Sequence, residues 1–323
     1  MKKIYLLLNL LSVSLLIAQA GAPAAYYNGF NWTQTGTTLK NALATKITTT
    51  HVDNLTYSQL WNALSIIDED PNNSNNIISI YSWNSTGSIA KSNQCGGSNC
   101  NNTWNREHTY VQSLGTPDLG STGPGADAHH MRACQYQLNE SRGSRKYTAG
   151  SGNAGTVGSF WYPGDQWKGD VARMMMYMYL RYPTRCLPTN IGTGATVGSD
   201  SNMLQLFLQW NAEDPVSPIE DFRNTYLGNA NNAYGQGNRN PFIDNPYLAT
   251  VIWGGPVAEN RWPNIFLSTD QYELVNLSVY PNPTNTDRIN IESPVQLDEI
   301  VLINVNGQLM QQIAKPAAID NTY

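Results

Sequence analysis

The chain has 323 residues, 41% hydrophobic and 13% charged, with a formal net charge of −5; this is length enough for one or two domains with full cores. A net acidic balance excludes binding of polyanions through bulk charge alone. The longest apolar run is short for a membrane span of ~20 residues, and no second run of that length follows it, which excludes an evident membrane-spanning segment. That run opens the chain as MKKIYLLLNLLSVSLLIAQAG, where Lys2 and Lys3 precede apolar residues and the small-residue pattern Ala18-Gln19-Ala20 ends them. It reads as a secretory signal peptide over residues 1–20. Its removal takes two lysines and shifts the formal charge from −5 to −7.

Residues 57–71, YSQLWNALSIIDEDP, put Leu60, Trp61, Leu64 and Ile67 on one helical face and end at Pro71, as an amphipathic helix does. NNSNN then reads as a polar turn and IISIYSW as a buried strand. A Gly/Ser/Asn loop carrying two cysteines leads to WNREHTYVQSLG, residues 104–115, in which HTYVQ alternates as a strand would. MRACQYQLNESRG reads as a helix ending near Gly143. GDVARMMMYMYLRY is a helix whose methionines are core filling. Residues 201–227 read as two helices broken at Asp214-Pro215, with Ser217 as N-cap, Pro218 at the first position and Glu220 three residues after the cap. In GQGNRNPFIDNP, a turn fixed by Asn240-Pro241 and Asp244 is a better reading than a phosphate contact through Arg239. Composition changes near Ser268, and residues 274–323 show short alternating strands with an Asn306-Gly307 hairpin signal. These strands are too few to close a sandwich.

Export implies an oxidising compartment, where cysteines are expected to pair. The short glycine-containing loop CGGSNC favours Cys95–Cys100, which leaves Cys134 with Cys186. Zinc fits less well, because neither pair has a C-x2-C spacing.

Three of the four histidines, His108, His129 and His130, fall within 23 residues, among acids, arginines and Asn139. Between Trp104 and Cys186 there are nine lysines and arginines against six acids, so the middle of the chain is locally positive. Phosphodiester hydrolysis needs a base for water, a cation to neutralise developing charge and a group for the leaving oxygen. His108 can be the base. Glu107 and Asn139 offer the oxygen ligands that magnesium accepts while keeping most of its waters. Arg106, Arg132 and Arg142 offer forks for phosphate oxygens. Glu107 and His108 are adjacent and would face opposite ways on a regular strand; a bulge or the strand's end must bring both to one site.

These residues carry a resemblance. WNREHTYVQS, DAHHMRACQYQLNESRG, KGDVARMMMYMYLRY, DPVSPIEDFRN and GQGNRNPFIDNPYLATVIW run in order from about Tyr57 to Trp253, and in that order the chain resembles the bacterial endonuclease I family of ββα-metal (His-Me finger) nucleases. The resemblance implies an α+β fold, a nuclease core surrounded by helices over residues 21–268. It implies His108 as general base, Glu107 and Asn139 as metal ligands, and an arginine, with Arg132 the first choice, at the transition state. His129 and His130 match supporting positions, with Asp127 either orienting one of them through a ring N–H or serving as a turn residue; Arg106 and Arg142 complete the set. The sequence departs from the family at Asn211 and Asn245, where histidines are expected, and at Ala133, where a proline is common. VYPNPTNTDRINIES and VNGQLM in residues 274–323 resemble the type A sorting domain of type IX secretion, in partial form.

The expected activity is a secreted, magnesium-dependent endonuclease, with calcium or manganese as alternative ions. It would act on DNA and RNA through the phosphate backbone, without sequence preference, and leave 5′-phosphates. A monomer is expected, with the secretion machinery as a partner of the C-terminal module. The rival readings are a non-catalytic extracellular binding protein on a decayed nuclease fold, suited to its nine Trp and eighteen Tyr, and a zinc amidase using His129 and His130. Adjacent histidines rarely chelate one ion, and no H-E-x-x-H helix is present.

Overall fold

Periodic burial explains the first two helices. In α1 (Gly36–Thr49) Leu39, Leu43 and Ile47 recur every four residues and are buried; in α2 (Leu60–Ile67) Leu60, Ala63, Leu64 and Ile67 form the buried face. The computed structural model describes residues 25–83, 87–95, 100–266, 278–285, 288–293, 297 and 299–317. The signal segment and the composition change near Ser268 lie outside them. The chain divides into two compact units, Met1–Phe266 and Leu267–Tyr323.

After α2, strands β1 (Glu69–Asp70), β2 (Asn73–Ile78) and β3 (Ser88–Ala90) make an antiparallel sheet in the order β1-β2-β3. The polar turn expected over NNSNN is shorter than its asparagines suggest. Asp70 pairs with Asn73, and the Asp70 carboxylate accepts the Asn72 backbone N–H at 2.9 Å, so the chain reverses at Pro71-Asn72. Asn73–Asn76 then serve as strand, their side chains largely in solvent. The strand expected through Trp83 ends at Ile78, and Tyr81 turns the chain with φ 68°.

Next, β4 (Trp104–His108) pairs antiparallel with β5 (Met131–Gln135), and α3 (Tyr136–Arg142) follows β5 without a linker, closing at Gly143 with φ 50°. This ββα unit corrects two expectations. The strand lies earlier than HTYVQ and stops at His108, and MRACQ is strand rather than helix. Tertiary pairing overrides the local pattern there: β5 exchanges hydrogen bonds with β4 on one side, and on the other Ile80 N–H donates to the Ala133 carbonyl at 3.0 Å.

Strands β6 (Gly155–Val157) and β7 (Phe160–Tyr162) form a ribbon ahead of α4 (Lys168–Arg181). Every residue of α4 from Gly169 to Leu180 is buried, including Met174, Met175, Met176 and Met178, as expected of a helix at the centre of a core. A short helix α5 (Pro188–Ile191) and a second ribbon, β8 (Thr196–Val197) with β9 (Asp200–Leu204), precede α6 (Gln205–Glu213) and α7 (Pro218–Leu227). The break at Asp214-Pro215 and the Ser217/Glu220 capping box of α7 are as read from the sequence. Then α8 (Pro241–Asp244) is capped by Asn240, Arg239 pairs with Asp244 at 2.6 Å, and α9 (Tyr247–Trp253) follows. The first unit is therefore an α+β fold of small sheets among helices.

In the second unit, β10 (Ser278–Tyr280) pairs with β11 (Asn290–Glu292) and β12 (Glu299–Ile303) with β13 (Leu309–Ala314), both antiparallel. Gly307, with φ 78°, supplies the turn between β12 and β13.

Cys95 and Cys100 are joined by a disulfide, but Cys134 and Cys186 are free, which corrects the second expected pair. Cys134 belongs to β5 and turns its thiol to the Ile80 carbonyl at 3.6 Å; Cys186 lies beyond α4, its backbone N–H held by the Tyr182 carbonyl. Burial pushes both thiols up, so neither presents a reactive thiolate. Alkylation followed by mass spectrometry should therefore label no thiol in the native protein and two after unfolding; labelling of either thiol before unfolding would contradict this packing.

Candidate active site

The end of β4 solves the problem of adjacent side chains. Glu107 points under the hairpin toward α3, while His108, the last residue of the strand, stands where the chain leaves the sheet. Both line one cleft of about 230 Å³ with Arg106, Asn139, Arg142 and Gly143. Strand, hairpin partner and helix thus carry the set together.

His108 Nε2 lies 2.9 Å from the Gly125 carbonyl. A carbonyl only accepts, so Nε2 carries the proton of the neutral ring and Nδ1 keeps a lone pair; Nδ1 has no hydrogen-bond partner among the described residues. Tyr57 stacks on the ring with centroids 5.5 Å apart, and His130 lies behind it at 5.7 Å. Burial lowers the His108 pKa below 6.5, reinforced by Arg106 and Arg142 and opposed by the Gly125 bond. Gly125 is required in this seat, because a Cβ there would come within 1.8 Å of the Gly120 carbonyl oxygen.

Glu107 is 3% exposed. Its Oε1 accepts from the Tyr81 hydroxyl at 2.9 Å and lies 3.5 Å from Arg142 Nε, while Oε2 accepts no hydrogen bond among the described residues. Burial raises its pKa, against Arg142 and Tyr81, which lower it. Asn139 Nδ2 donates to Asn105 Oδ1 at 2.7 Å, which leaves the Asn139 amide oxygen as a bare acceptor in the cleft. Arg142 is buried: its guanidinium donates to the carbonyls of Thr109 (2.8 Å) and His108 (3.3 Å), sits 4.9 Å over the Tyr147 ring and leaves Nε without a hydrogen bond. Arg106 stacks on Tyr57 at 3.6 Å and on Trp61 at 4.4 Å, and donates to the Tyr57 carbonyl.

The structure does not bring Arg132 into the cleft. Its guanidinium donates to Asp68 at 2.9 Å and Asp170 at 3.0 Å inside a buried network that also holds Arg173, Glu220 and Arg223. A charge so engaged cannot turn to phosphate without giving up its bonds to both carboxylates inside this buried network.

Asp127 does not orient a histidine ring either. It accepts the His129 backbone N–H at 3.0 Å and the hydroxyls of Tyr177 and Tyr182, as a buried turn residue, with His51 3.8 Å away. His129 Nε2 meets the Asn238 carbonyl and His130 Nε2 the Pro124 carbonyl. The two rings therefore serve different backbone groups and share no ion; among the described residues there is no cluster of three or more His, Cys, Asp or Glu able to hold a metal.

Burial lowers His129 to about 4 and His130 to about 3. Unfolded, both return to about 6.5, so the unfolded state binds more protons below that value. Their stabilisation is complete above pH 6.5 and is lost as pH falls toward about 3. Melting temperature followed from pH 7 to pH 4 should fall steadily; a flat profile would contradict the neutral, buried state of these rings.

Sequence reasoning missed Tyr81, Tyr147, Asn105 and Gly125. Only Gly125, within the turn-forming GPGA segment, carries a local signal of its backbone role.

The endonuclease I family model matches residues 35–247. The chain is 38% identical over 256 residues to an extracellular ribonuclease of Bacillus subtilis (strain 168), covering 76% of this chain and 84% of that one. It is 38% identical over 230 residues to an extracellular ribonuclease of Bacillus amyloliquefaciens, covering 68% and 75%.

Proposed function

The chain belongs to the endonuclease I family, and from that premise we propose that this secreted nuclease hydrolyses phosphodiester bonds of RNA and DNA with a divalent cation, magnesium first. His108 supplies the base, Glu107 and Asn139 hold the cation, and Arg142 is the arginine paired with Glu107. The observation that carries this reading is the His108–Gly125 bond, which fixes a protonated Nε2 and a bare Nδ1 beside Glu107 and Asn139 in one cleft.

The donor set suits a hard cation. Glu107 Oε2 and Asn139 Oδ1 are oxygen acceptors without protein donors among the described residues, and no soft ligand lines the cleft. Such a cation, when bound, neutralises charge growing on the phosphate and the leaving oxygen. His108 Nδ1 takes a proton from the attacking water, and the Gly125 carbonyl steadies the imidazolium through Nε2–H. Arg142 keeps Glu107 from leaving the cleft and presents positive charge below it. Attack of water in line with the 3′-oxygen leaves a 5′-phosphate. These groups address phosphate and sugar, which carry no base information, so cleavage is independent of sequence. In this reading residues 21–268 form the nuclease domain and residues 274–323 a sorting module taken up by the secretion machinery, in keeping with the two short hairpins of the second unit.

The test is cleavage of supercoiled plasmid and of structured RNA by the purified protein, with magnesium, manganese, calcium or EDTA, and with end-labelling of the products. Cleavage supported by magnesium, abolished by EDTA and leaving 5′-phosphates is expected. Cleavage that survives EDTA, or products ending in 2′,3′-cyclic phosphate, would overturn the metal-and-base mechanism.

A further inference from the structure

Tyr81 occupies a conformation that its side chain does not favour. Its φ of 68° is left-handed, a conformation that strains a bulky residue and that glycine adopts freely. The surrounding contacts hold it there. Ile80 N–H is anchored on the Ala133 carbonyl at 3.0 Å, the Tyr81 ring packs edge-on against Trp161 at 5.5 Å, and the turn aims the hydroxyl under β4. That hydroxyl donates to Glu107 Oε1 at 2.9 Å and lies 2.7 Å from the Tyr147 hydroxyl. Tyr147 is 2.9 Å from the Thr109 carbonyl, and its ring faces the Arg142 guanidinium. Each tyrosine has one hydroxyl proton: that of Tyr81 goes to the carboxylate, and that of Tyr147 is divided between the Thr109 carbonyl and the Tyr81 oxygen.

We propose that Tyr81 is a positioning residue for the cation site: by engaging Oε1 it fixes the Glu107 carboxylate so that Oε2 is presented to the metal, with Tyr147 holding the Tyr81 hydroxyl from behind. The inference rests on the nuclease reading above. It assigns the strained turn a purpose, because among the described residues the polar side chains its hydroxyl reaches are Glu107 and Tyr147. A residue retained for packing alone would keep its place as phenylalanine.

The experiment is calorimetric titration of manganese into the purified full-length protein stripped with EDTA, without nucleic acid, alongside kcat at limiting and saturating metal. Wild type should bind the ion and Glu107→Ala should lose it. Tyr81→Phe should bind roughly tenfold more weakly, with kcat recovering as metal is raised, a signature that loss of packing alone would not give. If Glu107→Ala loses the ion while Tyr81→Phe binds as wild type does, the positioning role is overturned and the nuclease reading stands. If wild type binds no ion, both fall. Should Tyr81→Phe fail to fold, Tyr147→Phe carries the test: a loss of roughly twofold to tenfold in affinity is expected for one supporting hydrogen bond, and unchanged affinity overturns the proposal.

Discussion

Replacing His108 with alanine should lower kcat by about 10²–10⁴-fold, the usual contribution of a positioned general base, while the protein stays folded. The folded state loses one hydrogen bond, to the Gly125 carbonyl, worth about 1 kcal/mol. The substrate KM should move little, because in the proposed mechanism the ring takes a proton rather than gripping phosphate. Wild type should show an acid limb: activity is present while Nδ1 is bare and declines as pH falls through the His108 pKa, which burial lowers below 6.5. A His108→Ala protein that is folded and retains more than a tenth of wild-type kcat would remove His108 from the chemistry.

Arg132→Ala has its largest expected effect elsewhere. Removing the cation that joins Asp68 and Asp170 should destabilise the protein by about 3–5 kcal/mol, the range for breaking a buried ion pair from one side, and lower Tm by roughly 10 °C. Asp68 keeps Arg223 and the Ala133 N–H. Asp170, whose pKa burial and the neighbouring Glu220 raise, can take a proton once Arg132 is gone, which places the loss toward the lower end. Below its new Tm the variant should retain most of its kcat, because Arg132 does not line the cleft. An unchanged Tm with collapsed kcat would put Arg132 back at the phosphate. Arg142→Ala, measured beside it, should show the reverse balance, with activity falling more than stability.

The contrast between these two arginines marks where sequence reading ran out. Helices with strong periodicity, such as α4, or with explicit stop and cap chemistry, such as α6 and α7, are legible because local physics decides them. Glu107, His108 and Asn139 are recognisable by residue type and order, and the cleft gathers all three. Arg132 sits in β5 opposite Glu107, yet its fork meets carboxylates contributed by α4 and by the turn after α2, whereas Arg142, at the end of α3, lines the cleft. No local pattern announces a network drawn from residues 68, 132, 170, 173, 220 and 223. The same holds for MRACQ, whose strand form depends on a partner strand 23 to 31 residues earlier, and for Cys134 and Cys186, which parity paired but the fold separates. Tyr81 is hidden for a further reason: its backbone conformation opposes its own side chain, so propensity argues against the position it occupies.

The seat of the histidine also divides the connection between β4 and β5 into two parts with different histories open to them. Residues 109–130 leave the sheet at the end of β4 and return to it at β5, and the turn at Pro124-Gly125 holds two imidazoles through its carbonyls, those of His130 and His108. That turn is closed by the near contact of Gly125 with the Gly120 backbone, so it tolerates no side chain at Gly125. Gln112 and Ser113, earlier in the connection, lie on the cleft rim. Changes of side chain at Gln112 and Ser113 would therefore alter the cleft rim while leaving the carbonyl that holds His108 where it is.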